Sequence, residues 1–242
     1  MNAKIFAAAA FAAASLSQPS HATAVNLITN GNFTQSTYTT NNEFGTPYGG
    51  QGVTGWTGGS GYELYFFAAT ASTNSANSEF DSGYNTGSEK FYTMATPPVS
   101  GNFVALDGGP TTGSAGSISQ ILSNLTVGTN YLVSFYWAAG QLQSKSGATT
   151  EDLIVTLGNQ SQTTQVVNNA SQSSTPWLQQ SFIFQATSTT ETLTFLAQGT
   201  PIGLPPIVAL DGVSMVDVPE PMSIAVFCMG LGLLTLVQKR RW

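Results

Sequence analysis

In Tyr131-Leu132-Val133-Ser134-Phe135-Tyr136-Trp137, every second side chain is large and apolar: Tyr131, Val133, Phe135 and Trp137 share one face. An extended strand, whose successive side chains point to opposite sides, turns that spacing into one buried surface. Leu153, Val155 and Leu157 repeat the pattern, and Ile118, Gln120 and Leu122 give a weaker version of it. Further strands are predicted over residues 25–29, 62–68, 102–107, 177–186, 192–198 and 207–216. Turn-forming residues separate them, among them Asn30-Gly31, Gly108-Gly109-Pro110 and Val127-Gly128-Thr129. The central part of the chain shows no amphipathic helix. Many short strands with polar turns predict an all-β sandwich.

Two stretches depart from this pattern. Residues 69–101 are rich in Ser, Thr, Asn and Gly and predict a long loop with one short strand near 91–94. Val104-Ala105-Leu106-Asp107-Gly108 recurs as Val208-Ala209-Leu210-Asp211-Gly212, which predicts two core strands ending at similar Asp-Gly turns.

The two ends read as addresses. Residues 1–24 have the order of a secretory signal: Lys4, an apolar Ala-rich stretch, then Ala22-Thr23-Ala24 before a cut. Near the other end, Val218-Pro219-Glu220-Pro221 is non-helical, because proline fixes φ and removes a donor. Residues 222–237 are uncharged and mostly apolar, and Lys239-Arg240-Arg241 and Trp242 follow. As a helix that span rises about 24 Å, a little short of the ~30 Å hydrocarbon core. Snorkelling basic side chains close the difference, and the basic cluster stays cytoplasmic. The expected organisation is a signal over 1–24, one extracytoplasmic β-domain over 25–217, and an anchor with a basic tail over 218–242.

Charge narrows the partners. Between residues 25 and 218 there are two lysines, Lys90 and Lys145, against eleven carboxylates, a formal charge of −9. Phosphate binding needs clustered Lys and Arg, so nucleic acid is excluded as a partner. Cations and neutral polymers remain. The single histidine, His21, lies in the signal, and the single cysteine, Cys228, lies in the apolar span. The β-domain therefore cannot carry Ser-His-Asp or Cys-His catalysis, ordinary zinc or copper sites, or a disulfide. No catalytic residue is assigned, and the chain is read as a non-enzyme. Glycoside hydrolysis would need two carboxyl groups roughly 5–9.5 Å apart. Glu63, Glu79, Glu89 and Glu151 are available, but nothing in their spacing selects a pair; Glu151 and Asp152, if in a strand, point to opposite faces. Aromatic residues in or near loops offer apolar faces for sugar rings: Trp56, Tyr62 and Tyr65 are the candidates, with Tyr84 and Tyr92 nearby. Trp56 also fits a core position after a turn, and that is the better fit of the two.

The last 25 residues resemble the PEP-CTERM sorting signal of Gram-negative bacteria, on Pro219-Glu220-Pro221, the apolar span and the terminal Lys-Arg-Arg. That resemblance implies export, an exosortase as processing partner, transit through the inner membrane on the C-terminal helix, and a destination at the cell surface or in the extracellular matrix, where exopolysaccharide and biofilm are made. The central part resembles the galactose-binding-like jelly rolls of carbohydrate-binding modules. The matching residues are Asn26-Leu27-Ile28-Thr29-Asn30-Gly31-Asn32-Phe33, Gly55-Trp56, Gly101-Asn102-Phe103-Val104-Ala105-Leu106-Asp107, Val127-Gly128-Thr129-Asn130-Tyr131 and Ala209-Leu210-Asp211-Gly212-Val213-Ser214. This implies a jelly-roll sandwich that binds exopolysaccharide or cell-surface glycan. It also implies a structural calcium between the first and last strands, for which Asp211 with Asn30 and Asn32 are the candidate ligands. Thr34 and Gly212 stand where that family carries further carboxylates. A structural biofilm or adhesion protein without a defined glycan site is the alternative, and a glycoside hydrolase the third reading.

Overall fold

In the computed structural model, residues 24–38, 42–44, 52–61, 63–66, 79–81, 88–92, 94–99, 102–110, 113–143, 145–204 and 206–218 are described. Residues 1–23 of the signal, the Pro219-Glu220-Pro221 motif, the apolar span, Lys239-Arg240-Arg241, Tyr62 and Tyr84 lie outside them. Among the described residues no helix is long and apolar enough to cross a membrane.

All regular structure in these residues is antiparallel strand. In chain order the strands are β1 (Asn42–Phe44), β2 (Thr57–Gly58), β3 (Glu63–Phe66), β4 (Glu79–Asp81), β5 (Ser88–Lys90), β6 (Phe103–Asp107), β7 (Ser117–Ser123), β8 (Asn130–Gly140), β9 (Thr149–Leu157), β10 (Gln160–Thr163), β11 (Val167–Asn169), β12 (Leu178–Gln185), β13 (Thr190–Thr200) and β14 (Ile207–Asp217). One sheet runs β1-β3-β6-β14-β8-β12; the other runs β10-β9-β13-β7-β2, with β11 also on β9. β4 and β5 pair only with each other.

The topology is a long hairpin rolled up. Its apex is the two-residue turn Gly158-Asn159, where Gly158 takes φ 57°, a left-handed conformation that costs glycine no Cβ clash. Down the hairpin β9 pairs β10, β8 pairs β12, β7 pairs β13 and β6 pairs β14. Rolling adds β14 to β8 and β13 to β9, so consecutive long strands alternate between the sheets. The strand orders β6-β14-β8-β12 and β10-β9-β13-β7 are those of a jelly roll.

Alternation decides what lies between the sheets. Tyr131, Val133, Phe135 and Trp137 of β8 are all buried, as are Leu153, Val155 and Leu157 of β9. Phe135 meets Phe195 of the opposite sheet edge to face at 5.1 Å. Each such aromatic removes on the order of 150–250 Å² from water, the main driving force for closing the sandwich.

The repeated pentapeptide has a precise structural outcome. Val104 faces Leu210, Ala105 faces Ala209 and Leu106 faces Val208, a locally two-fold pairing centred on the two alanines. The first copy ends its strand at Asp107-Gly108, but the second does not: β14 runs on to Asp217 through an irregularity between Asp211 and Ser214, where Gly212 has φ 62°. The expected second strand end is thus a bulge, because glycine accepts the left-handed residue a bulge needs.

A second apolar cluster forms on the outward side of the first sheet. Ala105, Ala209 and Ala138 lie side by side there, with Phe103 and Ile207. Phe91, Met94 and Leu142 cover them and Trp177 packs alongside. The alanine row leaves room for this chain to approach closely; at Gly140 a Cβ would come 3.0 Å from the Phe91 ring. The end of the predicted 69–101 loop is therefore a fixed cover rather than a free loop.

The predicted opening strand over 25–29 does not form a ladder. Leu27 N–H donates to Met215 O at 2.8 Å, but Asn26 Oδ1 accepts both Ile28 N–H and Met215 N–H, standing in for a backbone carbonyl. The short strand predicted near 91–94 does not form either: Phe91 makes an isolated bridge to Leu142, and the strand there is β5, which ends at Lys90. The other predicted strands form, with shifted ends.

Candidate functional site

The cover over the first sheet leaves the outward face of the second as the broad open surface among the described residues. Its composition follows from strand parity. On β13 the inward side chains are Glu191, Leu193, Phe195 and Ala197, so Thr192, Thr194, Leu196, Gln198 and Thr200 point out. The register sets Ile121 and Ser119 of β7 beside Thr192 and Thr194, and Asp152 and Thr150 of β9 beside Gln198 and Thr200. From Thr192 to Thr200 the row spans about 26 Å. It is rich in hydroxyls, and Asp152 is its one carboxylate.

A shallow cleft sits at each end of this face. One, of about 620 Å³, is bordered by Thr37, Val53, Thr54, Trp56, Thr57 and Ile121, the last 73 % exposed. The other, of about 400 Å³, is bordered by Asp152, Thr150, Thr200, Gln198, Val166 and the backbone of Gly108 and Gly199. Gly108 packs directly on β13: a Cβ there would stand 2.5 Å from the Gln198 carbonyl carbon. Thr150 and Thr200 share a hydrogen bond at 2.7 Å between their hydroxyls.

Glu151 and Asp152 do point to opposite faces. Glu151 is fully buried between the sheets, where Thr149 Oγ1 donates to its Oε1 at 2.5 Å and its Oε2 has no partner. Asp152 lies in the outer cleft, 9 % exposed, and no described group donates a hydrogen bond to its carboxylate. Burial raises the pKa of both, that of Glu151 to about 7. Glu63 is also fully buried; Ser117 N–H donates to its Oε1 at 2.8 Å, and burial raises it to about 7 against the backbone N–H donors of Ser117, Gly59 and Gly61. Sealed from solvent, Glu63 and Glu151 cannot reach a glycosidic bond. Glu79 and Glu89 sit on β4 and β5, one residue out of register with each other.

Trp56 takes the core alternative. It is 3 % exposed, packs between the tilted rings of Phe33 and Phe195, and its Nε1–H donates to Asn30 O at 3.1 Å. It lends the first cleft an edge, not a platform. Tyr65 lies in β3 opposite Val104. Tyr92 donates its hydroxyl to Gln143 O and Lys145 O, each at 3.2 Å, which fixes the cover.

The three calcium candidates are each occupied in the protein's own bonding. Asp211 Oδ2 accepts Val99 N–H at 3.0 Å and Oδ1 accepts Gly212 N–H at 2.6 Å, tying the end of the cover to the bulge; burial raises its pKa to about 6 despite these donors. Asn30 Oδ1 accepts Gln35 N–H, and its Nδ2 donates to Gln35 O and Thr54 O, all at 2.9 Å. Asn32 Oδ1 accepts from Thr34. Calcium takes six to eight oxygens, and one carboxylate already holding two N–H groups does not fit that demand. Among the described residues no group of three or more His, Cys, Asp or Glu is placed to hold a metal.

Sequence reasoning missed the outer row, although its signal was present. The polar positions of β9 and β13 are the complement of the apolar ones that defined the strands.

No protein-family model matches the chain, and no curated protein matches it. Among solved structures it is similar to the enzymatically active domain of bacteriophage CBA120 tailspike protein 4, with 13 % identity, TM-score 0.40, and coverage of 80 % of this chain but 21 % of that one. It is also similar to the module TmCBM61 in complex with β-1,4-galactotriose, at 13 % identity and TM-score 0.39 over 80 % of this chain and 99 % of that one. A CBM4 structure gives 14 % identity and TM-score 0.37 over 79 % of this chain and 99 % of that one. The chain thus spans about a fifth of the tailspike structure and nearly all of each module. At these TM-scores the likenesses do not extend to function.

Proposed function

We infer that this is an exported, non-catalytic protein that binds glycan along the outward face of its second sheet. The observation that carries the reading is that face: an open, extended row of Thr and Ser hydroxyls, with the apolar side chains of Ile121 and Leu196 among them and a shallow cleft at either end. Sugars present hydroxyls to such side chains and C–H faces to apolar ones. A polymer fits an extended surface better than an enclosed pocket. The formal charge of −9 turns away polyanions. The PEP-CTERM-like tail supports exosortase sorting to the cell surface or extracellular matrix of a Gram-negative bacterium, with the membrane as a transit station.

A structural matrix role without glycan selectivity is the second reading. The burial of Trp56, Tyr131 and Trp137 favours it, since it removes their rings from the surface.

A glycan and exopolysaccharide panel, run with calcium and with chelator, separates the two. Binding should be saturable and unchanged by chelator, and an Ile121→Asp variant should weaken it about tenfold or more. Self-association without selective binding would favour the matrix role.

A further inference from the structure

We propose that the cleft around Asp152 is a subsite for a sugar bearing a free amine, so that the face prefers a glycan containing unacetylated amino sugars. The proposal rests on the glycan reading above and names one ligand class within it.

Asp152 is 9 % exposed, it borders an open cleft of about 400 Å³, and its carboxylate receives no hydrogen bond from any described group. Two other buried aspartates, Asp107 and Asp211, are treated differently. Asp107 Oδ1 accepts Gly109 N–H at 2.8 Å, and Asp211 accepts two backbone N–H groups. A carboxylate with little access to water and no donor from the protein gains from any donor that reaches it. Here the space beside it is open, so a donor can arrive from outside.

The surroundings select the donor. An ammonium group has three N–H donors and no acceptor. The cleft supplies the carboxylate, the hydroxyl oxygens of Thr150 and Thr200, and the side-chain carbonyl of Gln198. Each can accept. Ionic hydrogen bonds are about twice as strong as neutral ones, so a cation relieves Asp152 where a sugar hydroxyl relieves it less. A divalent metal is a poorer fit, since the cleft offers one carboxylate and six to eight oxygens are needed. Leu196 and Val166, the latter 61 % exposed, give the ring's C–H face an apolar contact beside the charge.

The test is calorimetric titration of the full chain with three probes: a β-1,4-linked glucosamine pentamer with free amines, its fully N-acetylated counterpart, and cellopentaose. The free-amine probe should bind at least about tenfold more tightly than either of the others, with a preference that shrinks as salt rises. Asp152→Asn should abolish that preference by weakening the free-amine probe about tenfold or more, while cellopentaose affinity falls far less. Its melting temperature should equal or exceed that of the parent, because the substitution removes an unpartnered charge without removing a bond.

Binding of all three probes alike, or a preference that survives Asp152→Asn, would overturn the subsite and leave the glycan face standing. A uniform loss for all three probes in Asp152→Asn would show a merely structural role and also overturn it. Calcium that competes with the free-amine probe and binds alone with similar affinity would reassign the cleft to a metal. No binding of any probe would sink both the subsite and the glycan face.

Discussion

Glu63 and Glu151 hide their charges where nothing fully compensates them. Each is fully buried, each keeps an Oε2 without a partner, and burial lifts each from 4.5 to about 7. Between those values the folded chain holds protons that the unfolded chain has released, so stability falls as pH rises. The contribution is fully present below about pH 4.5 and lost as pH passes 7, on the order of 3 kcal/mol for each group. Asp211 adds a smaller loss in the same direction, from its rise to about 6. Thermal melts should therefore show a higher midpoint at pH 5 than at pH 8, and Glu63→Gln with Glu151→Gln should flatten that slope. A midpoint that climbs with pH would show these carboxylates to be compensated. Trp56 offers a second check at this scale. Trp56→Ala should cost about 3–5 kcal/mol in urea denaturation, since it empties a core position rather than a sugar platform.

At the scale of elements, one pair of sheet edges is closed by side chains. β12 ends the first sheet and β10 the second. Gln162 Nε2 donates to Ile183 O at 2.6 Å, and Gln160 spans to Gln185, donating to its carbonyl and accepting its N–H. Unpaired edges template aggregation, and these two glutamines occupy the β12 carbonyls that would do so. Replacing both with serine should cost about 1 kcal/mol per lost bond and raise light scattering on storage; unchanged stability and solubility would show the bonds to be incidental. Legibility differed strand by strand. β8, β9 and β14 could be read because each carries an apolar face. β10, as Gln160-Ser161-Gln162-Thr163, has no apolar alternation to read, and two-residue β2 is too short for any. Residues 25–29 had the pattern of a strand but lost the ladder to Asn26, whose side chain replaced a carbonyl.

Across the whole molecule, the rolled hairpin gives two outward faces and the chain uses them differently. Phe91, Met94 and Leu142 seal much of one over its alanine row, and the other stays open. The sandwich could be anticipated from alternation. The open face could not, because which sheet receives a cover depends on long-range packing by Phe91 and Met94 rather than on local pattern. Residue type did not settle which way a side chain faces: Trp56 and Asp211 pack into the protein's own bonding, whereas strand parity set Glu151 inward and Asp152 outward. The face is also the account's most exposed claim. Native affinity electrophoresis of the protein through gels containing neutral exopolysaccharide tests it directly, comparing the parent with an Ile121→Asp, Thr194→Asp double variant. Retardation of the parent, lost in a variant that keeps its melting temperature, is the predicted result. Equal retardation of both proteins would place glycan binding elsewhere and contradict the account.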